Sequence, residues 1–416
     1  MSTVSEVDIT PEFGGIVCAL RCSETNGGLA KKCRKANGVT VLTQTSTTIQ
    51  VLRDLDESIS SAWDSLCRPD DYFNTGYLQA LAHADLDCSF RYFVAREDGR
   101  IVGITFGYFT RFPLFGPFKP LVFIGGSPVS FGFPFAFQAD SPQIDIFTRL
   151  VQAVVAEAQR QRAASLLIRD LWSPDPQQSY SAILKYLGFV HLPLFQRASM
   201  HIQWRSFEEY LAALQHRPRR AIRSGIQKIA TNRYRPEVLS GREAQPYLAD
   251  MTRLWYYTYL KYKDRDQLLL AESYFRAMIS LPECRVFLLW QNEQLAAFGL
   301  TFERDALLET NHCGVDYTLV GKDPAHRFLE YECIRYAITH LCKTIDFGIS
   351  NEAEKLHLGC SLQGLSGYLR PLSPFACALI DLHLERWLLP EYGFKLVPAD
   401  RLDCRNGCVQ PTVFKA

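Results

Sequence analysis

Four titratable residues with a possible role in catalysis lie in one segment of the sequence, between residues 307 and 360. His312 stands in an apolar run that predicts a strand, and Glu330 stands in an amphipathic helical pattern. Asp346 lies inside a second short strand, and Lys355 follows it in a polar stretch. An imidazole or a carboxylate can remove a proton from a reacting group, while a lysine can bind a phosphate or stabilise an oxyanion. The segment therefore points to acid–base chemistry next to an anion.

Each of these residues also has an ordinary structural interpretation. Lys355 fits a solvated loop lysine, and an isolated His312 or Glu330 is more often structural than catalytic. Asp346 alternates with Ile345 and Phe347, so its side chain points to the opposite face of the strand. A carboxylate buried there needs a partner, and Lys355 is the cation that we expect to pair with it.

A second candidate site is a run of cations. From Tyr210 to Pro236 the sequence has no acidic residue. The run carries Arg217, Arg219, Arg220, Arg223, Lys228, Arg233 and Arg235. On a helix, residues four apart lie on one face, so part of this cluster could bind a phosphate or carboxylate through charge-assisted contacts. The alternative is a solvated helix face, although such faces usually carry both signs of charge.

The elements that position the first four residues are predicted by hydrophobic periodicity. We expect a strand over residues 307–317, a turn at 322–324, a strand over 343–347 that ends at Gly348, and a polar loop with Lys355. Between the strands lies a helix whose apolar face is formed by Phe328, Tyr331, Ile334, Ile338 and Leu341. This order places the helix start and the loop at one sheet edge, where α/β proteins usually bind ligands.

The same order of elements occurs twice. Residues 49–202 predict helices, a hairpin with Asp98-Gly99 at its turn, a strand, the long helix 144–160 and closing strands. Residues 206–371 predict helices, a hairpin over 291–294 and then the strand–helix–strand segment. We therefore predict an α/β protein, mixed α+β in detail, with two tandem domains that each have a mixed central sheet flanked by helices. The expected divisions are a flexible arm over 1–45, domains over 46–204 and 205–375, and a C-terminal extension over 376–416 that packs on the second domain.

Bulk properties narrow the function classes. The net charge of +1 gives no general attraction to DNA or to an anionic membrane, so any basic recognition must be local. The 13 cysteines lack zinc-ribbon spacing, and we expect free thiols in a reducing cytoplasm and no metal. No signal peptide or transmembrane segment is predicted. Cys313, Cys333 and Cys360 are interpreted as small buried residues rather than nucleophiles.

The segment 106–137 is dense in Phe, Pro and Gly, with only Arg111 and Lys119 charged. We favour buried strands joined by tight turns, because Pro and Gly punctuate the segment as turns would. The alternative is an apolar face for an acyl chain or for peripheral membrane contact.

Several motifs carry a family resemblance over residues 51–371. They are the basic run 217–228, Trp255 with Tyr259, Tyr336–Ile338, Ile345–Gly348 and Lys355 with Leu358-Gly359. In this arrangement the chain resembles tandem GNAT-fold acyltransferases, which include the Fem-type aminoacyltransferases and the peptidoglycan biosynthesis/recognition proteins. The resemblance implies two GNAT-like domains and an N-acyltransferase with an acyl-CoA or charged-tRNA donor and a small-molecule amine acceptor. No tightly bound cofactor is implied.

Site roles follow from the resemblance and from the reaction itself. Lys355 matches the family's loop lysine, and acyl transfer to an amine needs a base, for which His312, His326, Glu330 and Glu332 are candidates. Lys355, Asp346, His312 and Glu330 are the expected catalytic residues, and Asp346 has the alternative role of orienting the acceptor amine. The expected donor-binding residues are Arg217, Arg219, Arg220, Arg223 and Lys228. One feature departs from the family, because residues 321–327 read GKDPAHR and lack the glycine pair of an acyl-CoA pyrophosphate loop. A non-catalytic binding module that has lost its donor loop is therefore the alternative function.

Overall fold

The protein is described by a computed structural model over residues 5–7, 47–112, 119–173, 179–262, 268–374 and 376–377. The other parts of the predicted arm and of the C-terminal extension lie outside the described residues. In the N-terminal half of the chain the elements are β1 Ser5–Val7, β2 Thr48–Leu52, α1 Glu57–Leu66, α2 Thr75–Ala82, β3 Ser89–Glu97, β4 Arg100–Arg111, β5 Leu121–Gly125, β6 Phe135–Phe137, α3 Gln143–Arg160, β7 Ser165–Ser173, α4 Ser179–Tyr186 and β8 Val190–His201.

The C-terminal half repeats this order after two inserted helices. Its elements are α5 Phe207–Ala213, α6 His216–Thr231, β9 Tyr234–Ser240, α7 Leu248–Tyr262 (preceded by a short 3-10 turn, Gln245–Tyr247), α8 Glu272–Ile279, β10 Cys284–Gln291, β11 Gln294–Arg304, β12 Leu307–Val315, α9 Tyr317–Val320, α10 Ala325–Thr339, β13 Thr344–Gly348, α11 Glu352–His357 and β14 Ser361–Pro371. The predicted duplication of the mixed α/β arrangement is confirmed.

Local sequence signals explain both hairpins. Asp98 and Gly99 join β3 to β4 with φ of 48° and 78°, and Asn292 and Glu293 join β10 to β11 with φ of 48° and 65°. Two consecutive residues with positive φ give a turn whose twist matches that of paired strands. In the Phe-rich segment, Phe106, Phe109, Phe123 and Phe135 are buried in strands, so the buried-strand interpretation is confirmed for its described residues.

Over the described residues, the strands form one 14-stranded sheet in the order β1-β2-β3-β4-β5-β7-β14-β8-β13-β12-β11-β10-β9, with β6 paired to β4. The closing strands of the two halves are exchanged at its centre. β14 lies beside β7 of the N-terminal half, and β8 lies beside β13 of the C-terminal half. Within each half the only parallel pair along this order is the central one, β5 with β7 and β12 with β13.

One face of the sheet is covered by a core that both halves share. Trp63 of α1 and Tyr77 of α2 belong to the same buried cluster as Trp255 of α7 and Phe275 of α8. The other face carries two separate clusters, one under α3 and one under α10. The two halves are thus joined in two ways, by the strands exchanged at the centre of the sheet and by the apolar core that they share on one of its faces. Among the described helices, none has the length and apolar character needed to cross a bilayer.

Three local expectations were wrong. Leu341 is 84% exposed, because α10 ends at Thr339 and the chain turns with φ of 59° at Leu341, which leaves Cys342 to enter the core. The predicted polar loop around Lys355 is the short helix α11. The strand over 307–317 ends at Val315, because the Asp316 side chain accepts the N–H groups of Thr318 and Leu319 and so caps α9.

Close packing of α7 on β12 depends on Gly314. A Cβ at this position would lie 2.7 Å from the backbone nitrogen of Trp255 and 2.3 Å from the Phe298 ring. We predict that Gly314→Ala lowers the free energy of unfolding by about 1–3 kcal/mol in urea denaturation, because the helix must move away. Gly299→Ala on neighbouring β11 is the control, since the nearest atoms to its Cβ would be 3.8 Å away. Equal effects of the two variants would contradict this packing account.

Candidate active site

The site is built where β12 and β13 separate. The two strands pair only from Leu307 with Thr344 to Glu309 with Asp346, and beyond this point they diverge. On its other side β12 carries a bulge, because Thr310 opposes Thr301 while Cys313 opposes Gly299. Asn311 and His312 therefore share a face, and both contact the Tyr274 hydroxyl, at 3.4 and 3.1 Å. The divergence leaves backbone groups of β13 without a strand partner.

Lys355 of α11 supplies hydrogen bonds to the end of β13, where the two strands diverge. Its side chain is buried, and Nζ donates hydrogen bonds to the carbonyl oxygens of Phe347 (2.5 Å) and Ile349 (2.7 Å), just past the last β13 residue that pairs with β12. Burial lowers the pKa of Lys355, while the nearby carboxylates of Glu330 and Asp346 oppose this shift. The loop-lysine interpretation does not describe this residue. The lysine fixes the end of β13 and places a positive charge inside the divergence.

Glu330 is the unusual group of the site. It lies on α10, and its Oε2 atom is buried with no hydrogen-bond partner among the described residues. Burial raises the pKa of Glu330 to about 7, an effect that Lys355 opposes and Glu354 reinforces. A buried polar atom without a partner is costly and needs an explanation. A carboxyl group with a pKa of about 7 changes its ionisation at neutral pH, which makes Glu330 a candidate for a functional role.

Asp346 does not pair with Lys355, which corrects the expected partner. Arg197 of the exchanged strand β8 binds its Oδ2 atom through Nε at 2.6 Å and through a second guanidinium nitrogen, and the Gly348 amide donates to Oδ1 at 2.8 Å. Although burial alone would lower it, the pKa of Arg197 is raised because Asp346 stabilises its charge. The Arg197 contacts tie β13 to β8, and the Gly348 contact fixes the end of β13. No pattern in the sequence marked Arg197.

His312 lies on the shared-core face of β12, the face opposite to α10. Its ring packs edge-on against Trp255 and Tyr274, and its Nδ1 atom is 3.1 Å from the Tyr274 hydroxyl. Burial lowers the pKa of His312 to about 3, so the imidazole is neutral at physiological pH. The divergence thus separates two titratable groups, with Glu330 on one face of the sheet and His312 on the other.

Two cysteines beside Glu330, the half-buried Cys313 and the buried Cys360, have raised pKa values. Burial raises the pKa of Cys313 to about 12 and that of Cys360 to about 12, with a further contribution from Glu330 in both cases. A thiol needs its thiolate form to act as a nucleophile. The interpretation of these residues as small packed side chains is consistent with their protonated state.

A groove of about 460 Å³ runs over the face of the sheet that carries Asp346. Its floor is formed by the exchanged strands and β13, and its lining residues include Arg197, Ser199, Thr344, Asp346 and Gln363. Asp70, Asp305 and Lys343 also line it. Since side chains alternate along β13, this groove and the Glu330 side of the divergence lie on opposite faces of the sheet.

The cationic run lies on α6 as far as Lys228, whereas Arg233 follows the helix and Arg235 lies on β9, where it pairs with Glu237 at 3.2 Å. Arg217, Arg220 and Lys228 are exposed and form no ion pair within the described parts of the chain, while Arg223 is 3.9 Å from the exposed Glu208. Arg219 instead donates to the Ala212 carbonyl at 3.2 Å. The buried face of α6 packs on α10, where a Cβ at Gly225 would lie 2.9 Å from the Tyr331 ring. At its C-terminal end, the Asn232 side chain donates to Asp323 at 2.6 Å, just before α10.

A cluster of three titratable residues lies at the start of α10. Glu354 of α11 accepts hydrogen bonds from His326 Nε2 at 3.2 Å and Arg327 Nε at 3.1 Å, and it binds a second Arg327 nitrogen as well. No pattern in the sequence joined these three residues, because Glu354 lies 27 residues after Arg327.

Solved structures share this fold. FemX aligns with 80% of this chain and 99% of its own length, at 14% identity and a TM-score of 0.54. A tandem GNAT protein from the clavulanic acid biosynthesis pathway aligns with 79% of this chain and 99% of its own length, at 12% identity and a TM-score of 0.53. The fold is therefore the tandem GNAT fold, as predicted.

The family follows from the sequence itself. The chain belongs to the FemAB_like family, described as peptidoglycan biosynthesis/recognition, whose family model matches residues 117–360. The matched range includes the exchanged strand β8, the basic helix α6 and the whole divergence of β12 and β13. No curated protein sequence matches the chain.

The Arg197–Asp346 pair gives a stability prediction. Both side chains are nearly buried, at 13% and 5% exposure. Arg197→Ala leaves a buried carboxylate without its cation and is expected to lower the free energy of unfolding by about 3–5 kcal/mol in urea denaturation at pH 7. The double variant Arg197→Met with Asp346→Leu is expected to recover part of that loss. A double variant no more stable than Arg197→Ala would contradict the assignment.

Proposed function

We propose that the protein transfers an acyl or aminoacyl group to an amine at the divergence of β12 and β13. The amine nitrogen attacks the carbonyl carbon of an ester or thioester donor, and a C–N bond replaces the C–O or C–S bond. The amine proton passes to a base, and the leaving alkoxide or thiolate takes up a proton. The family and the fold support this class of reaction, and Glu330 is the observation that carries it.

Glu330 is the proposed base. With a pKa of about 7, a substantial fraction of its carboxyl groups is ionised at neutral pH, and its product acid is strong enough to return the proton. Its unpartnered oxygen can accept the amine proton without first losing a protein hydrogen bond. Lys355 contributes a fixed positive charge close to the reacting carbonyl, where it stabilises the oxyanion of the tetrahedral intermediate.

The donor is proposed to be a polyanion that lies along α6. Arg217, Arg220 and Lys228 offer exposed charges without protein partners in the described residues, which matches the phosphate backbone of a charged tRNA. Acyl-CoA is the other donor class, and α6 would then contact only its phosphates. In both cases α6 leads to the start of α10, because Asn232 and Asp323 join the two helices there.

The acceptor is proposed to enter through the groove on the opposite face. Ser199, Thr344 and Gln363 offer neutral hydrogen-bonding groups, and Asp70 and Asp305 in the lining attract a protonated amine. Donor and acceptor would then approach from different sides of the sheet, and the amine would reach Glu330 through the opening between β12 and β13. A small-molecule or muropeptide amine fits this chemistry, and the family description favours a peptidoglycan precursor.

Replacement of the proposed base gives the direct test. Acetyl-CoA, longer acyl-CoAs and charged tRNA are first screened by thermal shift, and the stabilising donor is used for turnover. Glu330→Gln is expected to lower kcat by about 10²- to 10⁴-fold and to remove the rise in activity through about pH 7 that the wild type shows. The rise occurs because only the ionised carboxylate accepts a proton.

Glu332→Gln is the matched control, since Glu332 lies on the same helix but pairs with Arg335. It should retain the wild-type pH profile. Full activity of Glu330→Gln would show that Glu330 is not the base. A folded wild type without turnover on any donor would favour the non-catalytic binding module.

The basic helix gives a separate prediction. Arg217→Ala with Arg220→Ala is expected to weaken tRNA binding and to reduce the slope of log Kd against log salt by about two, because two phosphate contacts are lost. The control is Arg53→Ala with Arg100→Ala, two exposed arginines of the N-terminal half. Equal salt slopes for the two double variants would show that α6 does not contact the nucleic acid.

A further inference from the structure

A chain of hydrogen bonds leads from the N-terminal half of the protein to His312. The Asn311 side chain donates through Nδ2 to the Val129 carbonyl at 3.2 Å and to the Ser130 hydroxyl at 3.1 Å. On its other side, Oδ1 of the same amide lies 3.4 Å from the Tyr274 hydroxyl, which in turn lies 3.1 Å from His312 Nδ1. Val129 and Ser130 are buried, so the far end of the chain is fixed inside the protein.

The chain has a direction, because the group at its far end can only accept a hydrogen bond. The Val129 carbonyl has no proton to donate, so the amide nitrogen of Asn311 faces it and Oδ1 faces Tyr274. The hydroxyl proton of Tyr274 is then donated to Oδ1, which leaves the hydroxyl oxygen as an acceptor for His312. The ring proton of the neutral imidazole therefore lies on Nδ1, and Nε2 carries a lone pair.

The Nε2 atom of His312 is available to a ligand. It has no hydrogen-bond partner among the described residues, and the indole N–H of neighbouring Trp255 donates instead to the Leu268 carbonyl at 3.0 Å. Residues 310–313 of β12 are half-buried, whereas the residues directly before and after them on this strand are buried. His312 thus lies in the accessible part of β12, just past the position where this strand leaves β13.

Two hydrogen-bond acceptors without protein partners therefore flank the opening between β12 and β13. Glu330 offers Oε2 on one face of the sheet, and His312 offers Nε2 on the other. A neutral primary amine has two N–H groups and one lone pair. With one N–H bound by Glu330 and the other by His312, the lone pair is left to attack the donor carbonyl. A secondary amine lacks the second N–H group.

We propose that His312 binds the acceptor amine through Nε2, that Asn311 and Tyr274 are positioning residues that keep this nitrogen unprotonated, and that the site thereby selects a primary amine. The inference rests on the proposed function, because it concerns the amine that Glu330 deprotonates. His312 accepts a hydrogen bond but takes no proton, since burial keeps its pKa far below neutrality. The proton that leaves the amine still passes to Glu330.

The position of the ring proton is the first test. The full chain is labelled with ¹⁵N-histidine, NMR distinguishes protonated from unprotonated ring nitrogens, and His312→Gln identifies the signals. The wild type is expected to carry the proton on Nδ1, although free neutral histidine prefers it on Nε2. In Asn311→Ala the Tyr274 hydroxyl can donate to Nδ1, so the ring proton is expected to move to Nε2. The control is Tyr72→Phe, which removes a buried hydroxyl that donates to the Gly132 carbonyl at 3.3 Å and should keep the wild-type form.

Binding of an amine is the second test. Glycinamide serves as a small primary amine, and its analogue with a trimethylated amine nitrogen has no N–H group there to donate. Glycinamide is expected to shift the Nε2 signal of the wild type, whereas the trimethylated analogue should leave it unchanged. Asn311→Ala is expected to bind glycinamide about tenfold more weakly, because two N–H groups then face each other.

Three results would each overturn the proposal. They are a wild-type Nε2 that carries the proton, a ring proton that stays on Nδ1 in Asn311→Ala, and glycinamide binding that leaves the Nε2 signal unshifted or is equally tight in the wild type and Asn311→Ala. None of these measurements needs turnover. They can fail while Glu330 remains the base, and they stand if Glu330→Gln is fully active.

Discussion

The structure depends on one constraint, which is that polar groups exposed by the separation of β12 and β13 must find partners inside a packed protein. Strand pairing stops after Glu309 and Asp346, and Lys355 then supplies the hydrogen bonds that the carbonyl groups of Phe347 and Ile349 need. A charge buried for this purpose needs compensation in turn, and the carboxylate of Glu330 lies close enough to act on it. The compensation is incomplete, because one Glu330 oxygen has no partner. A buried carboxyl group with a raised pKa is thus a consequence of how the strands separate.

The exchanged strands bring residues from both halves of the chain to this site. Arg197, which binds Asp346, comes from β8 of the N-terminal half. The loop after β5 also reaches the C-terminal half, because the Asn311 side chain donates to the Val129 carbonyl at 3.2 Å and to the Ser130 hydroxyl at 3.1 Å. Both contacts join groups that are far apart in sequence and close to the bulge in β12. Together with the shared core, they pack the two halves against each other.

Much of the architecture could be predicted because it is encoded locally. Alternation and helical periodicity identify the buried faces, and Asp98-Gly99 specifies its hairpin through backbone conformations that few other residues accept. Periodicity failed at Leu341, since an apolar residue in phase with a helix can lie just past its end. The polar stretch around Lys355 was wrongly predicted as a loop, because a helix of six residues has too few positions for a periodic signal.

The partners within the site could not be predicted, since they are set by tertiary pairing. A period of two tells which face of β13 is buried, but not that β8 will lie beside it and supply Arg197. Arg327 and Glu354 are likewise joined only through the position of α11. The most direct test of the central claim is a crystal structure with a non-hydrolysable donor analogue. The account predicts its reacting carbonyl between β12 and β13, beside Glu330 and Lys355. A carbonyl bound instead between β5 and β7 of the N-terminal half would contradict it.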